Sequence, residues 1–142
     1  MTSGAPLHAS CVALFGPRGW TGVLLTGPSG AGKSDLALRL IAGGARLVAD
    51  DAVVVWRQAD ALHAACPETI SGRIEMRGLG IVSLPPRPVA RLGLVVACAP
   101  EAPERLPEPE TWVHQGVSLP SLSVDVRAPS AAEAVRHAVR RL

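Results

Sequence analysis

The stretch Gly27-Pro28-Ser29-Gly30-Ala31-Gly32-Lys33-Ser34 decides how the rest of this 142-residue chain is read. It is a Gly-x-x-x-x-Gly-Lys-Ser pattern, and its neighbours give it the context that the pattern needs. Before it, residues 22–26 (Gly-Val-Leu-Leu-Thr) form a short apolar run that predicts a buried strand. After it, Leu36, Ala37, Leu40 and Ile41 recur at helical spacing, which predicts a helix over residues 34–42, ended by Gly43-Gly44. In a strand–loop–helix of this kind, successive backbone N–H groups converge on phosphate oxygens. The helix aims the positive end of its dipole at the same anion. Lys33 is expected to reach the β and γ phosphates, and Ser34 to hold Mg²⁺. The expected nucleotide-binding set is therefore Gly27, Pro28, Ser29, Gly30, Ala31, Gly32, Lys33 and Ser34.

Composition sharpens that reading. Of the 14 basic residues, all but Lys33 are arginine. A chain that uses Arg wherever a generic positive charge suffices has kept its single lysine where a compact ammonium on a flexible stem is needed. The formal charge of +2 and three scattered tryptophans give no footprint for nucleic acid. No run of about 18 uncharged apolar residues is present, so no membrane span is expected. Residues 1–6 lack the basic start and apolar segment of a signal peptide. Cys11, Cys66 and Cys98 match no zinc spacing and no disulfide framework, which fits a reducing cytoplasm. The length suits one domain spanning residues 1–142.

Further strands are expected at residues 46–49, 53–56, 61–66, 92–98, 111–113 and 122–126, and a proline-rich acidic loop at 100–109. Ser130-Ala131-Ala132-Glu133 reads as a capping box opening a last helix. Residues 72–80 mix charge with three glycines and read as a loop, either a holder of functional groups or a plain connector.

The use of the nucleotide is decided by the surroundings. The chain contains no asparagine, so no Asn-Lys-x-Asp guanine-reading element exists, and no Asp-x-x-Gly switch is present either. A signalling GTPase is thereby excluded, and a motor ATPase is expected to be larger. Asp50-Asp51 ends the strand that follows the phosphate-loop helix. If that strand lies near the first, a carboxylate there can accept a proton from an attacking hydroxyl or hold Mg²⁺. Glu75, between Arg73 and Arg77, fits either a second metal ligand or a solvated ion-pair face. His8 by itself reads as an exposed histidine near the N-terminus.

Three linked motifs, namely the phosphate loop, Arg46-Leu47-Val48-Ala49-Asp50-Asp51 and Ile74-Glu75-Met76-Arg77-Gly78-Leu79-Gly80-Ile81, resemble the catalytic domain of the HPr kinase/phosphorylase family in order and spacing, from about His8 to Leu84. The resemblance implies an α/β fold: a P-loop (Walker A) kinase domain of the HPr kinase/PEP carboxykinase-like type, with a mixed central sheet and flanking helices. It implies an ATP- and Mg²⁺-dependent cytoplasmic serine kinase acting on an HPr-like phosphocarrier protein of the phosphotransferase system. Many such enzymes also run the reverse reaction with inorganic phosphate. By resemblance, Lys33 and Ser34 are the phosphate-loop lysine and metal-binding serine. Asp51 is the base in the forward and the acid in the reverse direction. Glu75 is a second Mg²⁺ ligand and His8 a catalytic histidine, with Pro17-Arg18-Gly19-Trp20 as an insertion in the hairpin that follows. Arg105, in Glu104-Arg105-Leu106, is matched to a catalytic arginine. The family's Pro-Gly-Arg-Asn-like loop is replaced by Val126-Arg127-Ala128-Pro129-Ser130, which argues against the phosphorylase reaction. The chain resembles a short form comprising the catalytic domain only, and homo-oligomer assembly is left open. A kinase of the same fold with another protein or small-molecule acceptor, and a non-catalytic nucleotide-binding regulatory module, are the alternatives.

Overall fold

The computed structural model describes residues 5–67, 72–99 and 103–142. Its centre is an eight-stranded mixed sheet whose main path runs β3-β1-β2-β8-β10-β9. The strands are β1 (Ser10–Gly16), β2 (Gly19–Thr26), β3 (Arg46–Ala49), β4 (Val54–Gln58), β5 (Ala61–Ala65), β6 (Arg73–Met76), β7 (Gly80–Ser83), β8 (Val89–Ala99), β9 (Glu110–His114) and β10 (Val117–Asp125). The helices are α1 (Lys33–Ala42) and α2 (Ala131–Arg140). β4 pairs with β5, and β5 joins the sheet through the start of β8. β2, β8 and β10 are parallel to one another. β3 runs antiparallel to β1, which runs antiparallel to β2. The C-terminal ends of β2, β3, β8 and β10 therefore open on one edge, where ligands of open α/β sheets bind.

Side-chain alternation assigns the two faces of the sheet. Val12, Val23, Leu25, Leu94, Val96 and Val124 point to the helix side, where Leu36, Ala37 and Leu40 of α1 and Val135 and Val139 of α2 cover them. Cys11, Ala13, Leu24 and Val95 point the other way, onto Val53, Val55, Leu62 and Ala64 of the β4–β5 region. Both helices thus flank the same face. α1 ends in a paired turn: the Gly44 N–H donates to Ile41 O at 3.0 Å and the Ala45 N–H to Leu40 O at 3.1 Å. Leu36 has no exposed surface. Leu36→Ala is expected to lower unfolding free energy by about 2–5 kcal/mol, read from urea midpoints, because the helix–sheet interface cannot close over the void.

Three expectations change. Residues 72–83 are a two-stranded hairpin, β6–β7, rather than a loop. Ile74 is buried while Arg73 and Glu75 on either side face out, so one apolar side chain anchors an otherwise polar strand. Ser130 does precede α2, but its side chain makes no capping bond, and Glu133 pairs instead with Arg136. The last sheet strand is longer than residues 122–126, starting at Val117, with Pro120 inside it. Pro120 lies where β10 has only β9 beside it, since the pairing to β8 begins at Ser121, and an edge tolerates the missing donor. Part of the proline-rich loop, residues 100–102, lies outside the described residues. None of the described helices is long and apolar enough to cross a membrane.

Candidate active site

A cavity of about 990 Å³ lies at the carboxyl edge of the sheet, and the loop between β2 and α1 forms its floor. Close packing sets the glycine positions of that loop. At Gly27, φ is 140° and an added Cβ would stand 2.6 Å from the Cys98 carbonyl oxygen of β8. At Gly32, φ is 93° and an added Cβ would meet Val126 Cγ1 at 2.8 Å. Each would have to move backbone or a packed side chain, so only glycine fits there. Lys33 is 5% exposed. Its Nζ donates to Gly27 O at 2.7 Å and to Pro28 O at 2.9 Å, so the ammonium lies curled within the loop. Behind the loop, burial pushes the Cys98 thiol up to about 11 against the opposing pull of Lys33 and Arg39, which keeps it protonated and inert at neutral pH.

The end of β3 divides the labour between two adjacent acids. Asp50 Oδ1 accepts from Ser34 Oγ at 2.7 Å and from Ser10 Oγ at 2.8 Å. Ser10 is fully buried at the start of β1, so one hydroxyl from β1 and one from the first turn of α1 fix this carboxylate. The Asp51 N–H donates to the same Ser10 Oγ at 3.3 Å. Asp51 sits at φ 66°, a left-handed conformation that Asp adopts more readily than most residues and that concentrates at functional sites. The turn exposes Asp51 beside a half-buried Asp50, with both lining the cavity.

Glu75 and Arg77, on β6 and the turn after it, line the cavity too. The ion pairs among the described residues are Arg39–Asp35, Arg127–Asp125 and Arg136–Glu133, so Glu75 is not tied up by its flanking arginines. His8 also lines the cavity, with Nε2 at 3.0 Å from Ser29 Oγ of the loop. Arg105 is exposed on the segment before β9 and is not among the lining residues; the arginines that line the cavity are Arg77 and Arg127. Arg127 pairs with Asp125 and holds that carboxyl below its ordinary range. The structure thus brings together His8, the phosphate loop, Asp51 and Glu75. Asp50, the other acid of the expected pair, lines the cavity as well, and the structure adds Ser10, Asp125 and Arg127. The sequence signal for Asp125 is position: it ends β10, a strand that runs parallel to β2, as the Asp50-Asp51 pair follows the end of β3.

The charge balance is informative. Among the described lining residues, Asp50, Asp51, Glu75 and Asp125 oppose the permanent cations Lys33, Arg77 and Arg127, while Asp35 is paired with Arg39. A phosphate chain beside these carboxylates would be favoured by a divalent cation between them. No group of three or more His, Cys, Asp or Glu among the described residues is arranged to hold a metal unaided. Mg²⁺ takes one or two protein oxygens and completes its shell with water and substrate phosphate. The hard oxygens of Ser34 and Asp50, adjacent in the cavity, have the right chemistry for it.

Residues 1–86 match the HPr Serine kinase C-terminal domain family. An HPr kinase/phosphorylase of Azoarcus sp. (strain BH72) is 43% identical over 121 residues, covering 75% of this chain and 39% of that protein. An HPr kinase/phosphorylase of Halalkalibacterium halodurans is 37% identical over 134 residues, covering 85% of this chain and 42% of that protein. One from Clostridium tetani is 47% identical over 79 residues, covering 56% of this chain and 25% of that protein. The chain therefore spans a quarter to two fifths of the length of these relatives. The solved structure of the Hpr(Ser) kinase/phosphatase from Coxiella burnetii superposes with a TM-score of 0.78 at 25% identity, covering 97% of this chain and 90% of that one. With more than half its length matched by the family, and with the fold shared over nearly all of it, the chain belongs to the HPr Serine kinase C-terminal domain family.

Proposed function

We propose that this chain is an HPr serine kinase domain that transfers the γ-phosphoryl group of ATP, with Mg²⁺, to a serine of an HPr-type phosphocarrier protein. The observation that carries the reading is the pairing at the end of β3: Asp50 locked to Ser34 of the phosphate loop, and Asp51 turned out into the cavity one residue later. That pairing gives a metal-side carboxylate and a proton-accepting carboxylate without competition between them. The names of the relatives supply the acceptor class.

In this mechanism the loop amides and the α1 N-terminus bind the phosphates. Lys33 leaves the Gly27 and Pro28 carbonyls and pairs with phosphate oxygens, a stronger charge-assisted bond than the ones it gives up. Ser34 and Asp50 would hold Mg²⁺, with Glu75 as a further ligand. When bound, the metal neutralises charge on the transferring group. Asp51 accepts the proton of the incoming serine hydroxyl as its oxygen bonds to phosphorus and the bond to the β-phosphate oxygen breaks. Arg77, across the cavity, offsets the charge that spreads over the equatorial oxygens. His8, held on Ser29, orients the loop. The forward direction is the one this chain is built for, since the corner after β10 lacks the Pro-Gly-Arg-Asn-like run tied to the reverse reaction. Arg105 has no part in this scheme.

Labelled ATP incubated with the chain and an HPr-type protein should place label on serine in Mg²⁺, and none in chelator. Label that goes to a different protein or a small molecule would support a kinase with another acceptor. ATP binding with no transfer to any acceptor would support a regulatory module. Either result would contradict the proposal.

A further inference from the structure

The mechanism leaves one wall of the cavity unused, the corner after β10 where Asp125, Val126 and Arg127 face the phosphate loop. The strand order places it. Asp50 and Asp51 leave β3 two strands to one side of β2, and Arg127 follows β10 two strands to the other. Four inter-strand steps separate β3 from β10, roughly 19 Å. A phosphate chain lying on the loop with its terminal phosphoryl group toward Asp51 has its other end, where the α-phosphate meets the nucleoside, toward β10.

That corner is held from three directions. Arg39 of α1 donates to the carbonyls on either side of Arg127: those of Val126 and, at 3.3 Å, Ala128. Arg136 of α2 in turn donates to Arg39 O at 3.0 Å. Val126 packs against Gly32 so closely that no Cβ fits between them. The Arg127 side chain is oriented as well, because Asp125 Oδ1 accepts its backbone N–H at 3.0 Å and its Nε at 3.1 Å. Of the permanent cations lining the cavity, Lys33 belongs to the loop and Arg77 to the β6–β7 hairpin, so Arg127 is the one on the β10 side. A planar guanidinium fork suits two oxygens of one phosphate better than an ammonium does.

We propose that Arg127, oriented by Asp125, contacts the α-phosphate of the bound nucleotide, and that this contact distinguishes a nucleoside phosphate from a bare pyrophosphate chain. The proposal rests on the kinase reading for the direction of the phosphate chain. Asp125 acts as a positioning residue. Calorimetric titration of Mg·ADP and Mg·pyrophosphate into wild type, Arg127→Ala and Arg127→Lys tests it. Arg127→Ala should weaken ADP binding by about 10- to 100-fold, the worth of a charged hydrogen bond. Pyrophosphate affinity should stay within about twofold of wild type, since its contacts are to the loop. Arg127→Lys should recover part of the ADP affinity, keeping the charge and losing the fork. Equal losses for both ligands would mean that the corner only shapes the loop, and no loss for either would mean that Arg127 touches no nucleotide; each overturns the proposal. Wild type failing to bind ADP would overturn it too. Neither titration needs an acceptor protein, so a failure of serine phosphorylation would count against the kinase reading and leave this measurement intact.

Discussion

Replacing Asp51 by Asn should lower phosphoryl transfer by about 10²- to 10⁴-fold, the usual contribution of a positioned general base, while ATP affinity stays within about twofold. The substitution suits the question because little else changes. Asn is the other residue that readily adopts the left-handed conformation found at φ 66°. The backbone N–H bond to Ser10 Oγ does not involve the carboxylate and should persist. Asp50, the neighbour that two hydroxyls hold, is untouched. The fall should therefore appear in kcat and not in nucleotide binding. Single-turnover transfer combined with equilibrium ATP titration checks this. A mutant at full rate would remove Asp51 from the chemistry, and a mutant that had lost ATP binding would make Asp51 part of the nucleotide site instead.

The second large effect is expected at the lone lysine. Lys33→Ala and Lys33→Arg should both lower transfer by at least about 100-fold, the scale of losing one preorganised charge-stabilising donor. The arginine variant is the informative one, because the chain uses arginine at each of its other basic positions. Lys33 is nearly buried, and its ammonium fits between two loop carbonyls at 2.7 and 2.9 Å. A planar guanidinium is wider, carries more donors and cannot fold into that space without displacing Gly27, which is itself pressed against Cys98. Transfer rates measured beside melting temperatures separate loss of function from loss of fold. Wild-type activity in Lys33→Arg would mean that any positive charge suffices there.

The parts of this site legible in the sequence are those made locally. The phosphate loop, the helix after it and the short strand 46–49 rest on turn residues and apolar periodicity within a few positions, and α1 and β3 lie where those signals put them, α1 starting one residue earlier. Asp50-Asp51 could be read as a strand end. Which acid is held and which is turned outward cannot be read from the pair itself, because Ser10, 40 residues away, fixes Asp50; only the resemblance singles out Asp51. The β6–β7 hairpin has one buried apolar side chain, Ile74, too little pattern to outweigh three glycines and three charges. The arginine is the plainest case. Arg105 matches only through its two flanking residues, whereas the order of the parallel strands sets Arg127 at the cavity after β10, and the separate β6–β7 hairpin brings Arg77 there from 50 residues away. Long-range pairing of this kind leaves no trace in local composition.

The most direct test of the account is mass spectrometry of an HPr-type protein after incubation with this chain, ATP and Mg²⁺. One phosphoryl group on a single serine is expected, present with wild type and absent or strongly reduced with Asp51→Asn. An unmodified carrier in the presence of a chain that demonstrably binds ATP, or phosphorylation that Asp51→Asn leaves unchanged, would contradict it.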